Sequence, residues 1–195
     1  MKFKRLLLCF LSFFLLVGCT AGGDRPTPNT FLSFLQNDGE RFLAAVQELE
    51  GMKKDRFYVA LEEKKKDEKE EKETEEEPEI ILVTYVTKSG DHEELQSDLL
   101  FSLLQDYGFR LLYFQTARDS RRCVLFSLQE EGESFVQGMY YSFDSQPCGW
   151  WGRQADLKKK GNRFLQLNEN GSAGYFTLPL QDGFYYFEKH GNLVA

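Results

Sequence analysis

The region that most constrains the fold begins at Phe109. From there to the C-terminus, short runs of β-branched, aromatic and aliphatic residues alternate with turn residues, a pattern typical of strands. Six strands are predicted, at 109–116, 122–129, 134–143, 163–168, 173–180 and 184–189. Asn170-Gly171 and Asp182-Gly183 are hairpin signals, because these pairs suit the tight turns between antiparallel strands. Such short connections predict an antiparallel meander, since parallel neighbours need long crossovers.

Two helices are predicted before this region. Apolar residues recur at three- and four-residue steps from Phe31 to Leu49, with Asn29 or Thr30 as N-cap and a break near 37–39. A leucine-rich face follows an Asp-x-x-Glu variant of the capping box at 91–94, and this second helix is predicted to end at Gly108.

Two further strands, at 56–61 and 79–87, flank a highly charged segment. The second strand is a continuous run rich in β-branched and aromatic residues, which predicts burial on both faces and a central position in the sheet. Between them, every residue of 62–77 except Thr74 is charged, with ten acids and five lysines. No core forms from that composition, so we expect a solvated helix or a disordered loop inserted between two strands that pair. An interaction arm is the functional alternative.

Helices early in the chain and strands late in it predict a single α+β domain at 30–195. We expect a curved antiparallel sheet of about six to eight strands, packed with two helices.

Residues 1–18 have the layout of an export signal, with Lys2, Lys4 and Arg5 before an apolar run and Gly18 before Cys19. The apolar run is too short to span a bilayer core as a helix, which takes about 20 residues. Leu16-Val17-Gly18-Cys19 resembles the lipobox of bacterial lipoproteins. The resemblance implies cleavage before Cys19 and attachment of a diacylglyceryl group to its sulfur. An ordinary signal peptide cut near Ala21 is the alternative.

The lipobox implies a location in the cell envelope. Thr20 in place of an aspartate implies the outer membrane if the host has two membranes, and otherwise the outer face of the plasma membrane is expected. Cys19 and the Gly- and Pro-rich residues up to 29 form a predicted flexible tether, which reaches about 30 Å when extended.

Removal of residues 1–18 leaves 21 Lys and Arg against 31 Asp and Glu, a net charge of −10. This balance disfavours nucleic acid as a partner, because phosphate binding requires clustered positive charge. Cys123 and Cys148 are then the cysteines left to pair. We predict a disulfide between them in the oxidising envelope, with two free buried thiols as the alternative.

Trp150 and Trp151 precede a basic cluster of Arg153, Lys158, Lys159 and Lys160. Adjacent tryptophans in a glycine-flanked loop could stack on sugars, enter a membrane interface or anchor a protein contact. Since neighbouring residues of an extended segment point to opposite sides, one tryptophan is expected in the core. The lysines are interpreted as binding residues or as a solvated loop.

Residues 149–195 resemble small lipocalin-like bacterial lipoproteins. The resemblance rests on Gly149-Trp150-Trp151, the strand-turn segment 164–171 and the aromatic run at 183–186. It implies a carrier of a small apolar ligand. Those barrels continue with further strands, whereas this sequence ends at Ala195, a departure that argues against a closed barrel.

Gln146-Pro147-Cys148-Gly149-Trp150 is faintly similar to the nucleophile segment of papain-like cysteine peptidases, with His190 as the base such a mechanism would need. The family's second cysteine after the glycine is missing. The sequence has no metal-ligand spacing and no phosphate-binding loop, so no cofactor and no metal are expected. The favoured hypothesis is a non-enzymatic binding or interaction module that is anchored to a membrane by lipid. A protein, a glycan and a small apolar ligand are the partner classes left open.

Overall fold

A computed structural model describes residues 25–64, 79–86, 90–116, 121–129, 134–153, 157–168 and 170–191, without the side chain of Trp151. The predicted leader, Cys19 and most of the charged segment lie outside the described residues.

The described part of the chain contains two helices, α1 (Pro28–Gly51) and α2 (Asp98–Tyr107), and one ten-stranded sheet. The strands are β1 (Arg56–Glu63), β2 (Ile80–Val86), β3 (His92–Glu94), β4 (Leu111–Gln115), β5 (Cys123–Ser127), β6 (Phe135–Ser142), β7 (Lys158–Lys160), β8 (Arg163–Leu167), β9 (Ala173–Pro179) and β10 (Phe184–His190). The sheet is open, in the order β3-β2-β1-β4-β5-β6-β10-β9-β8-β7, and every neighbouring pair is antiparallel. An α+β fold with an antiparallel sheet and two helices is therefore confirmed, but the predicted six to eight strands were too few.

The two strands that the sequence did not indicate are the edges of the sheet. β3 and β7 have three residues each, and every one of them is exposed. Because an edge strand faces solvent, it needs no apolar alternation, and charged side chains there discourage pairing with other chains. Strand signals based on apolar residues therefore miss both.

The strand order divides the sheet into three hairpin-linked runs, β1–β3, β4–β6 and β7–β10. Pairing of β1 with β4 and of β6 with β10 joins the runs. Successive strands are therefore neighbours within each run, as in the predicted meander, but not where one run joins the next. The predicted central position of 79–87 was wrong, since β2 lies second from an edge. Its middle residues Leu82, Val83 and Thr84 are nevertheless buried.

The strands on either side of the charged segment pair with each other, as predicted. Glu63 lies opposite Ile80, and the Lys64 amide donates to the Glu79 carbonyl at 2.8 Å. The charged segment is therefore an insertion into the hairpin of β1 and β2.

Helix α1 begins earlier than predicted and bends where predicted. Its N-cap is Thr27, which forms a capping box with Thr30, and Pro28 occupies the first turn. Asp38 has non-helical dihedral angles (φ −137°, ψ 28°), so the helix is kinked at the predicted break.

Helix α2 ends at Gly108 as predicted, in the left-handed conformation (φ 68°). Its start was predicted six residues too early, since the N-cap is Ser97 and not Asp91. The Ser97 hydroxyl caps the helix by accepting from the Leu100 amide at 3.1 Å. Three of the four residues of the expected capping box, His92 to Glu94, form the edge strand β3 instead.

Both helices cover the same side of the sheet, called the helix face below. Phe42 of α1 is fully buried there, with its ring centroid 5.5 to 6.4 Å from those of Phe109, Phe126 and Phe184. Leucines of both helices complete this cluster. Aromatic packing on the sheet explains why α1 needs so broad an apolar stripe.

The opposite side of the sheet is called the strap face below. Its central row consists of residues in register across six adjacent strands: Tyr85, Tyr58, Tyr113, Leu125, Tyr140 and Tyr185. The rings of Tyr140 and Tyr185 stack at 5.1 Å, and Tyr140 is buried. Tyrosine thus takes on this side the role that phenylalanine and leucine take under the helices.

Candidate functional site

The segment from Asp144 to Arg153, called the strap below, follows β6 in the chain and precedes β7. It lies against the strap face of the sheet. Three tyrosine hydroxyls of the sheet bind its backbone: Tyr140 accepts from the Cys148 amide (3.1 Å), Tyr175 donates to the Cys148 carbonyl (3.1 Å) and Tyr185 donates to the Ser145 carbonyl (2.7 Å). Because a strap has no internal ladder, its buried amides and carbonyls need such partners. The tyrosines therefore fix where Cys148 sits.

Each end of the strap is also held. The Asp144 carboxylate accepts from the Ser142 hydroxyl and the Gln146 amide, and pairs with Arg121. Burial alone would raise the pKa of Asp144, but these hydrogen bonds and Arg121 outweigh burial and lower it. At the other end, the Gly152 carbonyl accepts from the Arg121 amide at 2.6 Å.

Cys148 of the strap meets Cys123 of β5 on the strap face. Both are buried, and a hydrogen bond between the two thiols, together with burial, raises the pKa of Cys123 well above its ordinary value. Gly152 closes over them at positive φ (73°), where a Cβ atom would lie 2.7 Å from the Cys123 sulfur. Only glycine fits this position without displacement.

The two cysteines are therefore brought together as the sequence predicts, but as free thiols and not at bonding distance. The disulfide stays a prediction.

Trp150 packs inward. It is half-buried, with its ring 5.7 Å from that of Phe187 and 6.2 Å from that of Tyr175, and the Lys189 ammonium lies 5.7 Å from its centroid. Trp150 is the core member of the tryptophan pair in this arrangement. The side chain of Trp151 lies outside the described residues, so its predicted binding role stays a prediction.

The structure does not bring the predicted basic residues together at one place. Lys158, Lys159 and Lys160 form β7 at the edge of the sheet and are exposed. Arg153 is exposed at the end of the strap, directly after Gly152, whose carbonyl binds the Arg121 amide.

Cys148 and His190 do not form a catalytic pair. His190 lies on the helix-face side of β10, where its Nε2 is 2.9 Å from the Glu188 carboxylate and its ring contacts Phe135. Cys148 lies under the strap, on the opposite side of the sheet. The arrangement lacks the contact between thiol and imidazole that a cysteine hydrolase needs.

An open groove of about 620 Å³ lies where the kink of α1 meets the turn between β9 and β10. Most of the residues that line it are polar: Gln36, Asn37, Asp38, Glu40, Arg41, Gln181 and Asp182. Buried Leu35 and Phe184 contribute apolar surface beneath them. The kink and the turn are in direct reach, since a Cβ atom on Gly39 would lie 3.9 Å from the Gln181 amide nitrogen.

One wall of this groove is fixed by hydrogen bonds between the helices. The Asp38 carboxylate accepts from the Tyr107 hydroxyl (2.6 Å) and from Arg41 (3.3 Å), and Arg41 also donates to Asp106 (2.6 Å) and Ser102 (2.7 Å). Burial and the bond to Asp38 raise the pKa of Tyr107 to about 12. The Tyr107 bond, opposed by partial desolvation, lowers the pKa of Asp38.

The other wall is a tight turn in which Asp182 (φ 48°) and Gly183 (φ 83°) both have positive φ. This is the conformation that the Asp-Gly pair predicts. The sequence indicated both the kink and the turn, but it carried no signal that the two would meet, and the groove was missed.

Among the described residues, no group of three or more His, Cys, Asp and Glu side chains could hold a metal ion. Nor does any helix in these ranges have the length and apolar character needed to cross a membrane. Comparisons with protein families, with curated proteins and with solved structures find no match to this chain.

Proposed function

We propose that this chain is a membrane-anchored bacterial lipoprotein whose extracytoplasmic domain is a non-enzymatic binding module. Acylation of Cys19 attaches it to the cell envelope: the outer membrane in a host with two membranes, or the outer face of the plasma membrane. The groove at the α1 kink is its ligand site, and a glycan of the envelope is the ligand class.

The polar lining of the groove carries this proposal. Gln36, Asn37 and Gln181 offer amide groups that both donate and accept, while Glu40 and Asp182 offer carboxylates that accept. Sugar hydroxyls also donate and accept, so each has a matching partner along this surface. A site for an apolar ligand is instead lined mostly by apolar side chains and encloses most of the ligand.

The lining is also rigid where it matters for binding. The bonds among Asp38, Arg41 and Tyr107 tie the kink to α2, and the turn at Asp182 is locked by its own backbone bond from the Phe184 amide to the Gln181 carbonyl (2.7 Å). A preformed polar groove loses little conformational entropy when a ligand binds.

The groove is tested by co-sedimentation of the purified full chain with peptidoglycan sacculi. We expect the double variant Gln36→Ala, Gln181→Ala to lower the bound fraction about tenfold, since each lost hydrogen bond to a ligand costs about 0.5–1.5 kcal/mol. Gln105→Ala, an exposed amide on α2 outside the groove, is the matched control and should bind as the parent does. Equal binding by the double variant and the control would refute a glycan site in the groove.

The anchor is tested separately by incorporation of radiolabelled palmitate in a bacterial host. The parent chain should be labelled and Cys19→Ser should not. Label retained by Cys19→Ser, or missing from the parent, would contradict the lipoprotein assignment.

A further inference from the structure

Positive charge is concentrated at one edge of the sheet, although the protein as a whole is acidic. Residues 157–163, which include the edge strand β7, hold four Lys and Arg and no acid, a net charge of +4. With residues 1–18 removed the chain carries −10, so the remainder carries −14. Charge separation on this scale orients a protein in an electric field near a charged surface.

The cations of this edge are available. Lys158, Lys159 and Lys160 are all exposed, and neither they nor Arg163 form an ion pair with another described residue. The Lys159 ammonium lies 5.8 Å from the Phe164 ring centroid and the Arg163 guanidinium 4.9 Å from that of Phe176, contacts that leave both charges without a counter-ion. Lys53, Lys54 and Lys64 lie elsewhere on the surface, and the last two do form ion pairs, with Glu93 and Glu79.

The basic edge also lies near the point where the chain enters the domain. The Arg25 guanidinium stacks over the Phe135 ring of β6 at 4.3 Å. Strand β7 is four strand spacings from β6 in the sheet, which is about 19 Å at ~4.8 Å per spacing.

The acidic insertion is carried at a greater distance from the basic edge. The hairpin of β1 and β2, which holds the insertion, is seven spacings from β7 along the sheet, or about 34 Å. That separation exceeds the Debye length of about 8 Å at physiological salt.

We propose that the edge formed by β7, with Arg163 at the start of β8, docks on the anionic headgroups of the membrane to which the chain is anchored. The inference rests on the proposed lipid anchor, which keeps the domain within a short tether of that surface. Lysine ammonium groups on an edge strand can contact phosphate oxygens without disturbing the core, because no side chain of β7 is buried. Docking would turn the acidic remainder of the domain away from the membrane.

The test is flotation of the full chain carrying Cys19→Ser with vesicles of phosphatidylcholine alone or mixed with phosphatidylglycerol. The substitution removes acylation. The leader and its basic residues Lys2, Lys4 and Arg5 are the same in all the charge variants compared below, so differences among those variants do not come from the leader. We expect more chain to float with the phosphatidylglycerol vesicles, and we expect high salt to abolish the difference. No difference between the two vesicles would overturn the proposal.

Charge variants localise the effect. Lys158→Gln, Lys159→Gln, Lys160→Gln should reduce the phosphatidylglycerol-dependent fraction about tenfold, and arginine at the same three positions should restore it. The control Lys53→Gln, Lys54→Gln, Lys64→Gln removes the same charge elsewhere and should float as the parent does. Equal losses in both glutamine variants would show a net-charge effect and reject the edge. Failure of palmitate labelling leaves this result unaffected, so the two proposals can fail independently.

Discussion

The helix face and the strap face of the sheet are both buried, but they are covered by different kinds of structure. Helices satisfy their own amides and carbonyls, so the sheet beneath them can be apolar, as it is around Phe42 and Phe126. The strap forms internal backbone bonds only in its last five residues, Gly149 to Arg153, among the bonds of the described residues. The sheet beneath it therefore presents hydroxyl groups on large aromatic rings, at Tyr140, Tyr175 and Tyr185.

This difference shows how a loop can replace a helix as a covering layer. The exchange of phenylalanine for tyrosine keeps the apolar area of the ring and adds one polar atom where the backbone of the loop needs it. The Tyr140 hydroxyl also lies 3.0 Å from the Thr177 hydroxyl of β9, so it joins the strap to the side chains of the sheet. We expect the helix face to depend on buried volume and the strap face to depend on single hydrogen bonds.

Truncation on the helix face should have the largest effect. Phe42→Ala removes a fully buried ring that packs against four others, and we expect it to lower the free energy of unfolding by about 3–5 kcal/mol. Urea denaturation followed by circular dichroism measures this loss. A change below about 1 kcal/mol, the size of a surface substitution, would contradict the assignment of Phe42 to the core.

The thiol pair should give the next effect on the strap face. If the predicted disulfide forms, it closes a loop of 26 residues, and its reduction should lower the free energy of unfolding by about 3–4 kcal/mol. Thiol titration in denaturant, on chain recovered from an oxidising compartment, should then find neither Cys123 nor Cys148 reactive before reduction and both reactive afterwards. Two thiols without reductant would reject the bond.

The same pair predicts a pH dependence of the reduced form. Since the pKa of Cys123 is raised above its ordinary value of 9.0, its contribution to stability is complete below pH 9.0 and is lost as pH rises through the folded-state pKa. The oxidised form lacks this titrating thiol, so its free energy of unfolding should fall less on the alkaline side.

Loss of one hydroxyl should have the smallest effect, and it should be specific to the strap face. Tyr140→Phe leaves the Cys148 amide without its partner, and we expect a cost of about 1–3 kcal/mol. Tyr141→Phe is the matched control, because the neighbouring Tyr141 ring packs on the helix face against Phe143 and Phe184. Equal costs for the two variants would remove the distinction between the faces.

The parts of the fold that could be predicted from the sequence are those with apolar periodicity or a local turn signal. The kink at Asp38, the αL residue Gly108 and the hairpin around the charged insertion all follow from short stretches of residues. The edge strands β3 and β7 could not be predicted, because their residues contact mainly water and one neighbour, and their pairing depends on the rest of the sheet.

The candidate sites divide in the same way. The sequence predicted that Cys123 and Cys148 belong together, because cysteine chemistry restricts the choices. The groove could not be predicted, because it joins Asn37 and Gln181 across more than half of the chain, and only the packing of α1 against the β9–β10 turn brings them together. The inward position of Trp150 depends likewise on Phe187 and Tyr175, which are distant in sequence.

The hairpin that carries the charged insertion has a consequence for handling this protein. The backbone bond between Lys64 and Glu79 joins the two ends of the insertion. The pairing of β1 with β2 therefore depends little on the number of residues between those ends. Each doubling of a flexible loop costs only about 0.6 kcal/mol of closure entropy. This position can therefore accept an epitope tag or a fluorescent domain, which would report the protein's position in living cells while leaving the groove and the basic edge free.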